Sequence, residues 1–389
     1  MKKAFIALSF GTFGLGVAEF SMMAILPYVA ADLHVSIPAA SGLISAYAAG
    51  VCVGAPALVV LRNRPLKQLL LLLASVMLLG NLVAALAPSF SLLMVGRFLS
   101  GLPHGAYFGV ATVVAMKLAA EGKGASAVSA MVAGMTVANL AGVPLATFIS
   151  HLFSWRMVFC FVAVWSAAVW LFIYRWVPRI GSLPRATFRS QFRFLKSRAP
   201  WLVLLTTMLG NGGVFAWYSF VNPMLTQKAA FSDTVVSGLM ILAGGGMVLG
   251  NMLGGMLSDR LSESRVIVGM QFVMLFSLVM LFTGCTHPVV AVVGMFLATM
   301  ALFAVSSPQQ TLIVRYAPGG ELLGGACIQV AFNLGNALGA QVGAVPLRMG
   351  LGYEYPALAG AVLTALGLAC SFYLVRWGGR QGAMLPAAC

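Results

Sequence analysis

Acid is what this chain has least of. Its 389 residues hold eight aspartates and glutamates against 23 lysines and arginines, and charged residues make up 8% of the whole. A soluble domain carries about a quarter charged residues, so these residues leave little room for one. Cysteine offers no framework either. Cys52, Cys160, Cys285, Cys327, Cys370 and Cys389 are scattered, mostly inside apolar runs, with no CxxC or Cys/His spacing. They read as small packing residues rather than disulfides or metal ligands. There is no Ser/His/Asp set and no cluster of metal ligands. Gly244-Gly245-Gly246 lies in mid-run without the Lys-Ser/Thr of a phosphate loop or a preceding strand. An enzyme is therefore not expected, nor any cofactor or metal.

What the chain does have is apolar length. Hydrophobic residues make up 61%, and the mean hydropathy is +0.98. A span needs about 20 residues, and twelve runs qualify: roughly 4–30, 40–61, 68–87, 91–117, 126–150, 156–177, 200–225, 235–257, 265–284, 287–314, 322–347 and 354–376. The first, beginning MKKAFIALSF, continues to about Pro27 with no A-x-A site, so it reads as a span rather than a signal peptide. The expected fold is all-α, a twelve-helix membrane protein in two six-helix bundles.

A net charge of +15 would point to nucleic acid in a soluble protein. Here the charge lies in short loops between apolar runs. An even number of spans puts both termini on one side. That side collects 19 of the basic residues, among them Lys2, Lys3, Arg62, Arg64, Lys67, Lys117, Lys123, Arg175 and Arg179. The other side has three: Arg156, Lys228 and Arg348. The asymmetry predicts both termini in the cytoplasm. The longest loop, 178–199, divides the chain into residues 1–177 and 200–389. Its segment SQFRFLKS fits either a short interfacial helix that binds anionic lipid or a plain basic linker.

The two halves repeat one another. Ser41 to Pro56 aligns with Ser237 to Met252 at an offset of 196, placing Gly50 on Gly246 and Gly54 on Gly250. Further on, Asn63-Arg64 falls on Asp259-Arg260, and Asn139 and Gly142 fall on Asn336 and Gly339 at an offset of 197. Parallel six-helix repeats about an axis along the membrane normal are a transporter architecture.

One charge of each sign lies within the spans. Arg97 sits in LMVGRFLSGLPHGAYFG, and Glu19 is the only acid well inside an apolar run. A charge at membrane depth costs at least ~2.5–3.5 kcal/mol and faces a protein interior or a water path. The pair reads as a proton site, with a carboxylate that gains or loses a proton as its surroundings change, or as a static buried pair that fixes packing. His104 lies seven residues beyond Arg97, two turns along, so both side chains share a face. It suits proton transfer, and equally a neutral hydrogen-bonding role beside Gly105. Gly134, Gly142 and Pro144 in the fifth span, and Gly335, Gly339, Gly343 and Pro346 in the eleventh, permit bending or simply close packing.

These motifs resemble the major facilitator superfamily over essentially the whole chain. Its loop motif stands at Gly250 to Asp259-Arg260, with a degraded first copy in which Asn63 replaces the acid before Arg64. Its Arg-x-x-x-Gly motif matches Arg97 and Gly101, and its antiporter motif is approximated by Gly134-MTVANLA-Gly142-Val-Pro144, which includes Asn139. The segments around Gly14 to Phe20, Pro103 to Gly109, Ala138 to Pro144 and Phe332 to Asn336 are similar to the arabinose-efflux-permease (AraJ-like) type of the drug/proton antiporter branch. That resemblance implies proton-driven export by alternating access. It makes Asp259 and Arg260 a gate, where an ordinary helix stop is the alternative.

The resemblance also places the first, fourth, seventh and tenth helices around the cargo. The polar, aromatic and thioether candidates there are Met22, Tyr107, Asn211, Trp217, Tyr218, Asn222, Gln309 and Gln310, any of which also suits helix packing. Amides with aromatics suit a sugar, arabinose or a relative. Methionine and aromatics suit a lipophilic drug, so a multidrug or small-metabolite exporter is the second reading. A non-transporting receptor or assembly subunit is a third. The expected partners are a small-molecule substrate and the lipid bilayer, with no nucleic acid, and the expected state is a monomer.

Overall fold

The computed structural model describes residues 2–184 and 187–381; Cys389, singled out above, lies outside them. The described chain is helical from end to end. In the first half α1 (Lys2–Asp32), α2 (Ile37–Leu61), α3 (Leu66–Ala85) and α4 (Phe90–Leu118) are continuous. The fifth span is α5 (Gly124–Val137), a π segment Ala138–Gly142, then α6 (Val143–Leu152), and α7 (Trp155–Trp176) closes the half. The linker forms two single turns, α8 (Phe188–Gln191) and a 3₁₀ turn Arg193–Lys196, rather than the single interfacial helix that is one of the two readings of SQFRFLKS.

The second half opens on a broken span: α9 (Arg198–Thr206), a π segment Thr207–Asn211, α10 (Gly212–Tyr218) and α11 (Val221–Gln227). Then come α12 (Asp233–Arg260), α13 (Glu263–Gly284), α14 (Pro288–Ala304), α15 (Ser306–Arg315), α16 (Glu321–Arg348) and α17 (Tyr355–Gln381). Among the described residues, twelve stretches are long and apolar enough to cross a membrane, matching the twelve runs read from the sequence. Serines start several of them. Ser36, Ser89, Ser154 and Ser232 accept the otherwise unpaired backbone N–H of Ala39, Leu92, Arg156 and Val235. Val60, Phe148, Val164 and Phe276 are among many large apolar side chains left open, which suits lipid rather than water.

Two compact units emerge. One takes the chain up to Arg193 together with Ala317–Val330; the other takes Phe194–Tyr316 and the chain from Ala331 on. In the first unit, a Cβ at Gly50 or Gly54 of α2 would run into the backbone oxygens of Phe98 and Leu102 on α4. In the second, a Cβ at Gly250 or Gly254 of α12 would run into those of Met300 and Ala304. Gly54 and Gly250, aligned by the sequence repeat, thus each stand at a helix crossing in which a missing side chain lets two backbones touch. The first unit's core holds Met22, Ile25, Val29, Leu43, Leu93 and Phe159, with a second cluster around Val17, Tyr47, Val51 and Val162.

Both π segments have visible causes. Pro144 has no N–H and its ring crowds the preceding turn, so the helix widens just before it. Asn139 Nδ2 donates to Met135 O at 3.1 Å, occupying a backbone acceptor at the bulge. In the second unit Gln271 Nε2 of α13 donates to Thr206 O at 3.0 Å, and Thr364 Oγ1 donates to Gly210 O at 3.4 Å. Side chains thus satisfy backbone groups that lipid cannot.

Candidate functional site

The first unit encloses an ionisable cluster. Glu19 on α1 is 6% exposed, and Arg97 and His104 on α4 are fully buried. Both α4 side chains turn toward α1, as a two-turn separation requires. Arg97 donates through Nη1 to Ala18 O at 2.7 Å and through Nε to Leu43 O at 3.4 Å. Its guanidinium lies 4.5 Å from the Tyr47 ring centre and 5.8 Å from that of Phe159. It is held by backbone carbonyls and aromatic faces, a setting that suits a weakly hydrated, forked cation.

Arg97 makes no ion pair with Glu19. The titratable group facing that carboxylate is instead the imidazole of His104, whose Nε2 lies 3.8 Å from Glu19 Oε2. On the other edge of the ring, Nδ1 is 2.8 Å from Tyr47 Oη, which also reaches Leu15 O at 3.4 Å. The imidazole stacks on Phe108 with centres 5.3 Å apart. Gln329, on the part of α16 that belongs to this unit, also interacts with the ring. Tyr47 has one proton. When it goes to Nδ1, Nε2 carries a hydrogen toward Glu19; when it goes to Leu15 O, Nδ1 is the donor and Nε2 is a bare acceptor. Glu19 Oε2, His104 Nε2 and Arg97 Nη2 are all buried without a hydrogen bond within the protein. Unspent polar capacity of that kind is costly in a core and makes this cluster the candidate functional site.

The antiporter-like segment packs directly behind this cluster. A Cβ at Gly134 would strike Ser9 O of α1, and Thr12 Oγ1 donates to Met131 O at 2.6 Å. Gly16, one turn before Glu19, is pressed against Met135 and Ala138, and Gly142 against Val17. Pro144 is exposed and Asn139 half-buried. In the second unit Gly339 of α16 would strike Gly212 O and Gly343 would strike Ala216 O. So α16 crosses the seventh span as α5 crosses α1, with Asn336 half-buried beside the crossing.

The proposed cargo residues do not share one environment. Met22 is fully buried in the apolar cluster with Ile25, Val29 and Leu43. Tyr107 is buried, and its hydroxyl donates to Leu8 O at 3.3 Å. In the second unit Asn211, at the end of the π segment, donates to Gln309 Oε1 at 3.4 Å, and Gln310 is buried next to it in sequence. Asn211 Oδ1 and Gln309 Nε2 are left without partners. Trp217 is buried with its N–H on Met224 Sδ at 3.0 Å, Tyr218 is half-buried and Asn222 is exposed. The structure brings Asn211 and Gln309 together, while Asn222 stays exposed.

Asp259 is half-buried and Arg260 exposed at the end of α12. Further ion pairs lie near other helix ends. Arg62, just past α2 and 2% exposed, meets Glu321 at 2.9 Å and also donates to Pro184 O. Arg315 meets Glu263 at 2.9 Å, Arg156 meets Asp32 at 2.6 Å and Lys228 meets Glu354 at 2.7 Å. Sequence reasoning missed these pairs, along with Tyr47 and Gln329. The signal that pointed to the pairs was the scarcity of acid, since each of so few carboxylates has many cations to choose from.

Among the described residues, twelve apolar spans fall in two units, each with buried polar side chains of its own, and this is the architecture of a multi-pass membrane protein. Residues 8–340 match the Major Facilitator Superfamily, and the chain belongs to that family. It is 44% identical over 387 residues to AraJ of Escherichia coli (strain K12), covering 99% of this chain and 98% of that one. It is 37% identical over 374 residues to the inner membrane transport protein YdhP of the same strain, covering 95% of each. The crystal structure of FucP, a transporter of this superfamily in its outward conformation, superposes with a TM-score of 0.77. It covers 95% of this chain and 98% of that one at 15% identity, a likeness of fold alone.

Proposed function

We propose that the protein is a proton-coupled antiporter that exports a small polar molecule, arabinose or a related sugar, across the inner membrane, with both termini cytoplasmic. The observation that carries this reading is the buried Glu19–His104 pair, 3.8 Å apart, with Arg97 fixed beside it. A protonated Glu19 is neutral and tolerates a sealed apolar surrounding. A deprotonated one needs His104, Arg97 or water. Proton uptake and release therefore change which arrangement of the bundle is favoured, which is what coupling requires. Tyr47 and Gln329 set which imidazole nitrogen carries the proton. Asn211 and Gln309 offer an unpaired acceptor and donor, the chemistry of a hydroxyl-rich cargo. Asp259 and Arg260 act in the gate, and the crossings at Gly134, Asn139, Gly142, Pro144, Asn336 and Gly339 are the places where the helices flex. The transporter works as a monomer.

The test uses inside-out vesicles energised to be acid inside. Pentoses, hexoses and lipophilic cations are added in turn, and collapse of the pH gradient is followed. Collapse on a sugar that disappears in Glu19→Gln supports the reading. Collapse on lipophilic cations alone replaces the cargo, and collapse that persists in Glu19→Gln moves the proton site.

A further inference from the structure

Away from the ionisable cluster, the first unit carries a second polar site, where α3 begins and α7 ends. A cleft of 710 Å³ opens there between Pro65, Lys67, Gln68 and Leu71 on one wall and Tyr174, Arg175, Arg179, Ile180 and Gly181 on the other. Three of these nine residues are cations and none is acidic. Lys67 Nζ donates to Tyr174 O at 2.7 Å and lies 5.5 Å from the Tyr174 ring centre, so the lysine is tethered across the cleft. Arg179 is near enough for its charge to act on Lys67, and Arg175 and Arg179 are both exposed. Three like charges around one hollow repel one another until an anion enters.

The cleft is also open to lipid. Trp170 and Tyr174 stack with centres 5.5 Å apart and are 37% and 58% exposed, and Leu72 beside the lining is 37% exposed. Stacked aromatics at a helix end mark the headgroup level of a bilayer. Basic pockets at that level take anionic headgroups.

We propose that this cleft binds a phosphate group, presented by an anionic lipid headgroup at the bilayer surface or by a soluble phosphate. Arg175 and Arg179 supply forked guanidinium donors, Lys67 a point charge and Gln68 an amide hydrogen bond. Leu71, Ile180 and the Tyr174 ring receive the first carbons of an acyl chain. The site has nothing to do with cargo. It ties the start of α3, the end of α7 and the head of the linker to the membrane surface.

The experiment uses the full-length protein, delipidated in detergent, with cardiolipin, phosphatidylglycerol, phosphatidylcholine or inorganic phosphate added separately. Bound molecules are counted by native mass spectrometry. Anionic lipids are expected to be retained and phosphatidylcholine not. The double variant R175Q/R179Q, both positions exposed and outside the core, is expected to weaken that binding about 30-fold. Lys123→Gln, an exposed cation elsewhere, is expected to leave it unchanged. Phosphate that displaces the lipid at comparable concentration identifies a soluble source for the same site. Equal binding of phosphatidylcholine, or anionic-lipid binding undiminished in R175Q/R179Q while the variant elutes as the wild type does, overturns the proposal.

Discussion

Glu19 Oε2 lies 3.8 Å from His104 Nε2, with both side chains sealed inside one helical unit. That distance is too long for a hydrogen bond and short enough for a small side-chain rotation to close. On the proposed reading, a proton passes between the two groups once the bundle loosens. Glu19→Gln keeps the shape and removes the exchangeable proton. Substrate-driven proton flux in vesicles is expected to fall to background while yield and elution from a sizing column stay unchanged. His104→Gln is expected to impair the same flux, because Tyr47 then has no titratable partner.

Arg97→Lys tests the other member of the cluster. Lysine keeps the charge and loses the fork that reaches Ala18 O and Leu43 O together and lies flat over Tyr47. A lost hydrogen bond to a charged group costs about 1.5–3 kcal/mol, and lysine does not replace a stacked guanidinium. Thermal unfolding in detergent is expected to shift downward accordingly. An unchanged midpoint would mean that charge alone matters at this position.

The repeated crossings make a prediction about glycine. A methyl group at Gly250 would meet Met300 O, whereas one at Gly245, five residues earlier on the same helix, would meet nothing within 4 Å. Gly250→Ala is expected to destabilise by about 1–3 kcal/mol, the usual cost of overpacking. Gly245→Ala is expected to be neutral or slightly stabilising. Comparing the unfolding midpoints of the two variants decides it, and equal midpoints would contradict the crossing geometry.

Arg62 and Glu321 are far apart in sequence and 2.9 Å apart in space. With the arginine 2% and the glutamate 26% exposed, this is a partly buried pair, and removing either member strands the other. A double-mutant cycle of Arg62→Met and Glu321→Gln is expected to show a coupling of about 0.5–3 kcal/mol. A coupling of zero would make the contact incidental.

Asp32 gives the pH dependence. Its hydrogen bond from Arg156, and next that from the Trp155 indole, hold its carboxyl below the usual aspartate range. A carboxyl depressed on folding adds stability above its unfolded value, about 3.9, and loses it as the pH falls through the folded value. The pair is half open to solvent, so its contribution is small. The gap in unfolding midpoint between wild type and Asp32→Asn is expected to be constant from pH 7 down to about 5 and to close below about pH 3.9. A gap that widens on acidification would contradict this.

Much of the architecture is legible in the residues. Twelve apolar runs have to be helices, because lipid offers backbone groups no partner and each span must satisfy its own. The recurrence of Gly50 and Gly54 at Gly246 and Gly250 announces two similar halves, because only glycine lets helices meet backbone to backbone. A lone acid and a lone arginine inside the spans mark the ionisable cluster, since no helix carries such charge into lipid idly. Pro144 foreshadows the break in the fifth span. The seventh span breaks without any proline in its π segment Thr207–Asn211, and no local pattern foretells that.

Which acid meets which base was decided only in three dimensions. Hydropathy patterns reveal an inward face when a helix is apolar on one side and polar on the other. These helices are apolar nearly all round, so the rotation and depth of each are left unspecified by pattern. They are set by how the helices pack, through the glycine crossings, the π segments and the aromatic faces. That packing places His104 rather than Arg97 against Glu19, gathers Asn211 and Gln309, and joins Arg62 to Glu321 across most of the chain. The sequence by itself determined what spans the membrane and which charges had to be sheltered. Tertiary structure alone determined their partners, because a contact between two helices depends on rotations that neither helix encodes in isolation.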